Sequence, residues 1–118
     1  MRAKDVVGRY GEDVAVAHVR AAGWTVLDRN WRCPEGELDV VGLDGRELVA
    51  VEVKTRRSVR FGSPAEAVTP AKLARLRRLT AAWLDAHDVR PASVRIDVIA
   101  VTLPARGAAV VDHLVGVV

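Results

Sequence analysis

An α/β fold is predicted, with a mixed central sheet flanked by helices in the order αβββαββ. Three observations predict it. A helical apolar pattern opens the chain, three strand-like runs follow with only turns between them, and a second helical pattern separates those strands from two more. Three consecutive strands favour a meander, and the helix after the third allows a crossover to the fourth.

The first helix is expected from about Asp5 to Ala22, stopped by Gly23. Val6, Tyr10, Val14, Ala17 and Ala21 make its main apolar stripe. Glu12 lies far from that stripe, as an exposed helix charge would. Ala15, Val16 and Val19 form a second apolar strip near Glu12, and if that side is covered Glu12 looks onto a site. Trp24 to Trp31 reads as the first strand, rich in aromatic and β-branched residues. Gly36 to Leu43 is the second and Arg46 to Thr55 the third. Both are apolar on two faces, as in a sheet covered on both sides. Arg56 to Pro70 is a loop. Thr69 caps a second helix that Pro70 opens and that runs to about His87. Leu73, Leu76, Leu79, Thr80, Trp83 and Leu84 form its inner face, with Trp83 and His87 read as packing or helix-end residues. Arg75, Arg77 and Arg78 cover its outer faces. Ser93 to Thr102 is the fourth strand and Ala108 to Val115 the fifth, joined through Pro104 and Gly107.

The 118 residues suggest one domain spanning 1–118. Half of them are hydrophobic, which argues against disorder. A formal net charge of +3 and a pI near 9.6 suit an anionic partner without proving one. Cys33 is the single cysteine, so no intramolecular disulfide can form, and zinc-type Cys/His spacing is absent. Met1 to Asp13 is charged and lacks the apolar core of a signal peptide. No apolar run reaches the roughly 18 residues of a membrane span. A cytoplasmic protein with no membrane partner is the expectation.

The chemistry concentrates in the second and third strands. Asp39, Glu52 and Lys54 stand inside otherwise apolar runs, where an unpaired charge is costly to bury. If Asp44-Gly45 forms a two-residue type I′ turn, Leu43 pairs with Arg46, Val41 with Leu48, Asp39 with Ala50 and Glu37 with Glu52. Glu37, Asp39 and Val41 then share a face with Leu48, Ala50, Glu52 and Lys54, and Leu38, Val40, Val49, Val51 and Val53 take the other. Asp39 and Glu52 become diagonal neighbours about 7–8 Å apart at the backbone. Carboxylates reaching inward from there can share one Mg²⁺ or Mn²⁺ through oxygen ligands at about 2.1 Å. The alternative for Glu52 and Lys54 is a solvated ion pair. A slip of one residue would send Asp39 to the opposite face.

Glu12 on the first helix, Gly36-Glu37-Leu38-Asp39 on one strand and Glu52-Val53-Lys54 on the next resemble the restriction-endonuclease-like superfamily, whose signature is an acid followed by acid-x-lysine. More closely, Gly8-Arg9-Tyr10-Gly11-Glu12 with Ala15, Val51-Glu52-Val53-Lys54-Thr55-Arg56, Phe61-Gly62 with Ala67-Val68 and Lys72, and Arg95-Ile96-Asp97-Val98 are similar to the motifs of the small bacterial UPF0102 family. The likeness covers about Gly8 to Val101. The layout is also similar to archaeal Holliday-junction resolvases, which implies that Glu12 joins Asp39, Glu52 and Lys54 as a catalytic group. Asp97 belongs to the family pattern, and a salt bridge to an arginine is its expected role.

The implied function is Mg²⁺- or Mn²⁺-dependent hydrolysis of phosphodiester bonds in DNA, branched or structured forms included. Asp39 and Glu52 hold the metal, and Lys54 orients the nucleophile or neutralises charge. Arg56, Arg57, Arg60 and Lys72 contact nucleic-acid phosphates, which positions the backbone without reading sequence. Cutting a junction symmetrically would call for a homodimer. Two other readings stay open. One is a DNA- or protein-binding module that keeps the nuclease fold without the activity. The other is an interaction subunit acting through a sheet edge or through its apolar C-terminus, Val110 to Val118.

Overall fold

The computed structural model describes residues 3–57 and 68–118, with side chains from Val6 onward. The elements are α1 (Ala3–Ala21), β1 (Thr25–Cys33), β2 (Gly36–Asp44), β3 (Glu47–Arg56), α2 (Pro70–Ala86), β4 (Ser93–Thr102) and β5 (Val110–Leu114). They make one five-stranded sheet in the order β1-β2-β3-β4-β5. β1, β2 and β3 form an antiparallel meander, β3 and β4 are parallel, and β5 returns antiparallel to β4. The parallel pair requires a crossover, and α2 supplies it. The αβββαββ order and the mixed sheet are thus as expected, and they are consistent with a restriction-endonuclease-like fold.

Each face of the sheet carries one helix and one core. Under α1, Ala15, Val16, Val19 and Trp24 pack on Val40, Val49, Val51, Ile99 and Val101. Under α2, Leu73, Leu76, Leu79 and Trp83 pack on Leu38, Val41, Leu48, Ala50 and Ile96. The Thr69 hydroxyl accepts the N–H of Lys72 and caps α2, and Pro70 takes the first turn, where its missing N–H costs nothing. No described helix is long and apolar enough to cross a membrane.

Three details differ from the sequence expectations. The side of α1 that packs most closely is the second apolar strip, beside Glu12, and of the main stripe Val14 alone packs against the core. Val6 and Tyr10 are each 53% exposed and Ala17 and Ala21 are exposed, while Ala15, Val16 and Val19 are buried. Gly11 and Ala15 explain the choice, because small residues let this side of the helix come closest to the sheet. A Cβ at Gly11 would overlap the Thr55 hydroxyl of β3.

The β2–β3 hairpin also turns one residue later than expected. Asp44 pairs with Glu47 and the loop is Gly45-Arg46, so Leu43 faces Leu48 and Val41 faces Ala50. Gly45 has φ +62° and Arg46 is not in the positive-φ region, the arrangement of a turn with Gly at its first central position. Asp44 stays in the strand, where its carboxylate pairs with Arg95 at 3.0 Å. The offset in register is two residues, so the side chains of the paired segment from Val40 to Val51 keep their predicted faces.

The third difference is that Leu38 joins the α2 side rather than the Val40 side. The β2–β3 ladder ends at Val40–Val51, and from Gly36 to Asp39 β2 pairs with β1 alone. Released from β3, this end of the strand departs from simple alternation.

Asp97 is fully buried in β4 and its carboxylate accepts four hydrogen bonds. Arg95 donates from Nε (3.0 Å) and a terminal nitrogen (3.2 Å), His113 lies at 2.7 Å, and the Gly116 N–H donates at 2.8 Å. Arg95 also pairs with Glu47 at 2.7 Å and sits over the Trp24 ring. Burial works against the Arg95 charge, but the hydrogen bonds to Asp97, Glu47 and Asp44 outweigh it and raise its pKa. The salt bridge expected for Asp97 is therefore present, and it ties β4, β5 and the C-terminal residues together.

Candidate metal and phosphate site

Where β2 parts from β3, the strand ends present charge. The Val53 N–H, with no β2 carbonyl to meet, donates to Asp39 Oδ2 at 2.8 Å. Asp39 thus takes the place of a ladder bond and its carboxylate is held at the split. Helix α1 brings Glu12 to the same point, because its neighbour Gly11 rests against Thr55. One carboxylate oxygen from each of Glu12, Glu37 and Asp39 lies within 4.8 Å of the other two, a spacing able to hold a metal ion. All three residues are half-buried.

These carboxylates repel one another. Burial pushes the Asp39 pKa up to about 7, helped by the charge of Glu52 and, less, by those of Glu12 and Glu37, while the Val53 hydrogen bond pulls it down. Glu12 is also raised, first by burial and then by Glu37, against a lowering hydrogen bond from the Asn30 amide. A cation would relieve this strain, and an all-oxygen donor set suits a hard divalent ion such as Mg²⁺ or Mn²⁺. The donor chemistry therefore fits the metal expected from the sequence.

Glu52 and Lys54 border the same cavity. Their charged groups are 3.5 Å apart and both side chains are partly exposed. The cavity holds about 310 Å³ between α2 and the sheet, with Glu37, Asp39, Glu52, Lys54, Lys72 and Arg75 among its lining residues. Lys72, from the first turn of α2, approaches Lys54 closely enough that the Lys54 charge lowers its pKa. Arg75 is tied to the Glu35 carbonyl at 3.2 Å.

The structure gathers Glu12, Asp39, Glu52, Lys54 and Lys72 into this one region. Arg56 lies differently: its Nε donates to Thr102 Oγ1 at 3.3 Å, at the end of β4. Arg57 is exposed and Arg60 lies outside the described residues, as do Phe61, Gly62 and Ala67. Arg77 and Arg78 are exposed on α2.

Two residues of the site were not singled out from the sequence. Glu37 is the first, although its place two residues before Asp39 on a strand was the signal. Asn30 is the second. It has φ +53°, and among the described residues it is the only non-glycine with a positive φ. It sits between Arg29 and Trp31, which pair with Val40 and Leu38, so it stands opposite Asp39. Asn tolerates this conformation better than most residues, and its amide reaches Glu12.

The contact at Gly11 gives a direct test of how Glu12 is placed. Gly11→Ala is expected to destabilise the protein by about 1–3 kcal/mol through overpacking and to weaken Mn²⁺ binding by displacing Glu12. Adding Thr55→Ala removes the hydroxyl and should recover part of both losses. Urea unfolding and titration calorimetry on the single and double variants measure the two effects. A fully tolerated Gly11→Ala would show that the helix does not need this close approach.

Comparison with known proteins adds a family. A family model described as an uncharacterised protein family, UPF0102, matches residues 11–101. A UPF0102 protein of Kineococcus radiotolerans is 64% identical, covering 99% of this chain and 97% of its own. One from Beutenbergia cavernae is 61% identical over 99% of both chains, and one from Streptomyces griseus is 52% identical over 99% of both.

Proposed function

Because this chain belongs to the uncharacterised protein family UPF0102, whose description carries no activity, we propose its function from the geometry: it is a metal-dependent nuclease of the restriction-endonuclease-like superfamily that hydrolyses phosphodiester bonds in DNA. The observation that carries the reading is the convergence of Glu12, Glu37 and Asp39 within 4.8 Å beside the Glu52–Lys54 pair. A site that crowds three carboxylates and places ammonium groups next to them suits a divalent cation on one side and a phosphate on the other.

Asp39 would hold the metal, with Glu12 and Glu37 closest to it and Glu52 bordering the same cavity. The Val53 backbone carbonyl would add a further oxygen. When bound, the ion supplies charge neutralisation on the phosphate and a water of lowered pKa. Lys54 would orient the attacking water or offset charge developing on the phosphate. Lys72 and Arg75 would hold flanking phosphates, as would Arg57, and such contacts fix position rather than sequence. Phosphate contacts of this kind carry no sequence information, so structure-directed or nonspecific cutting of DNA, branched forms included, is the fitting substrate preference. A homodimer would serve symmetric cutting of a junction.

The test is a cleavage screen over duplex, single-stranded, flap and four-way substrates with Mn²⁺. Wild-type protein is expected to cut at least one. Glu52→Gln and Lys54→Ala are each expected to lose about 10²-fold or more with unchanged circular dichroism. A wild type that binds DNA in a salt-dependent way but cuts none of the four would instead favour a binding module, in which the 3.5 Å Glu52–Lys54 contact is a structural ion pair.

A further inference from the structure

The cavity behind the acidic cluster is more than a metal site. Its rim is charged, but its floor is aliphatic: Val68, Leu76 and Leu79 on the α2 side, and Val98 on β4. Leu76, Leu79 and Val98 are buried core residues that close the bottom of the opening, and Val68 at its edge is partly exposed. Catalysis at a surface phosphate needs only the rim. A duplex has its bases stacked inside and its phosphates outside, and it cannot fill a recess of this shape.

The volume, about 310 Å³, lies at the small end of small-molecule sites, roughly 300–1,000 Å³. It has room for one nucleotide. The charge at the mouth matches one as well. Lys54 and Lys72 both line the mouth, where their like charges repel, and an anion between them would relieve that repulsion. Arg75, anchored at the Glu35 carbonyl, closes the same side. The mouth thus suits a phosphate and the floor suits the flat apolar faces of a base.

We propose that this cavity receives a single unpaired nucleotide, its base against Val68, Leu76, Leu79 and Val98 and its phosphate at Lys54, Lys72 and Arg75. The proposal rests on the nuclease reading for its setting and deepens it by naming the substrate class: nucleic acid with an unpaired nucleotide at the point of cutting, as in a single strand, a flap or a splayed junction arm. Withdrawing a base from a stack is least costly where it is already unpaired, and that would set the preference.

The experiment uses full-length protein with Ca²⁺ in place of Mn²⁺, so that binding is read without cleavage. Methyl NMR follows the Val and Leu signals during titration with a ten-residue oligothymidylate, with a blunt duplex of the same length, and with thymidine 5′-monophosphate. The expected result is movement of the Val68, Leu76, Leu79 and Val98 methyls with the single strand and not with the duplex. Val68→Trp, at the partly exposed edge of the floor, is expected to fill the cavity and weaken single-strand binding about tenfold, with its melting curve checking the fold. Methyls that stay still with the oligothymidylate, or that move equally with the duplex, would overturn the proposal. If the mononucleotide binds as tightly as the oligomer, the cavity serves a free nucleotide; tighter binding of the oligomer assigns it to a strand. Methyl shifts in a protein that cuts nothing with Mn²⁺ leave the pocket standing and remove the nuclease. Cutting of duplex and single strand alike, without methyl shifts, does the reverse.

Discussion

Asp39→Asn is expected to make the metal-free protein more stable at pH 8 and, under the proposed nuclease function, to lower DNA cleavage by about 10³-fold or more. The two effects have one cause. In the folded protein the Asp39 carboxyl keeps its proton up to about pH 7, against an ordinary value of 3.8. Between those values the folded state binds more protons than the unfolded chain, so this group's contribution to stability falls as pH rises. It is fully present below about pH 4 and lost above about pH 7, a difference on the order of 4 kcal/mol. Asparagine stays neutral throughout and still offers an oxygen to the Val53 N–H. Melting curves of the two proteins should therefore converge near pH 4 and separate in favour of the variant by pH 8.

The same proton competes with the metal. Mn²⁺ binds the ionised carboxylate, so wild-type affinity should rise with pH up to about 7 and then level off, with a proton released per ion bound. Calorimetry in two buffers of different ionisation enthalpy counts that proton, and Asp39→Asn should bind no Mn²⁺ at this site. A variant less stable than wild type at pH 8, with unaltered Mn²⁺ uptake, would make Asp39 a structural residue and end the nuclease reading.

Arg95→Met is expected to be the most destabilising of the substitutions considered, at about 3–5 kcal/mol, with little effect on the metal site. The buried Asp97 carboxylate loses two of its four hydrogen bonds and its permanent counter-charge. His113 and the Gly116 N–H remain, so the carboxylate keeps two partners but no permanent counter-charge beside it. Urea unfolding of the variant against wild type measures the loss. A loss under about 1 kcal/mol, the scale of an exposed ion pair, would show that Asp97 is not held by Arg95. Asp97 is absent from the lining of the cavity beside Asp39, and Mn²⁺ affinity in Arg95→Met that matches wild type would agree with a purely structural role.

Much of the site was legible because strands impose a period of two. Glu37 and Asp39, and Glu52 and Lys54, had to share a face whichever even register the hairpin chose. The turn itself was misplaced by one residue, because Asp-Gly is a strong local signal and the distant Arg95 that holds Asp44 in the strand is not local at all. The face of α1 was misread for a related reason. Val6, Tyr10 and Val14 make the better stripe by hydrophobicity, but Gly11 and Ala15 make the closer approach, and packing against Thr55 decided the matter. Asn30 gave only its residue type as a sign, and its left-handed conformation shows only in the folded chain.

By itself the sequence determined the order of the elements, the two apolar faces of β2 and β3, and the company that Asp39, Glu52 and Lys54 keep. Local periodicity and turn chemistry suffice for these. Only the tertiary structure decided that β2 leaves β3 after Val40, that Glu12 and Glu37 close around Asp39, and that a cavity with an aliphatic floor opens behind them. Such features arise where separate elements meet, and their energies belong to contacts between residues far apart in the chain.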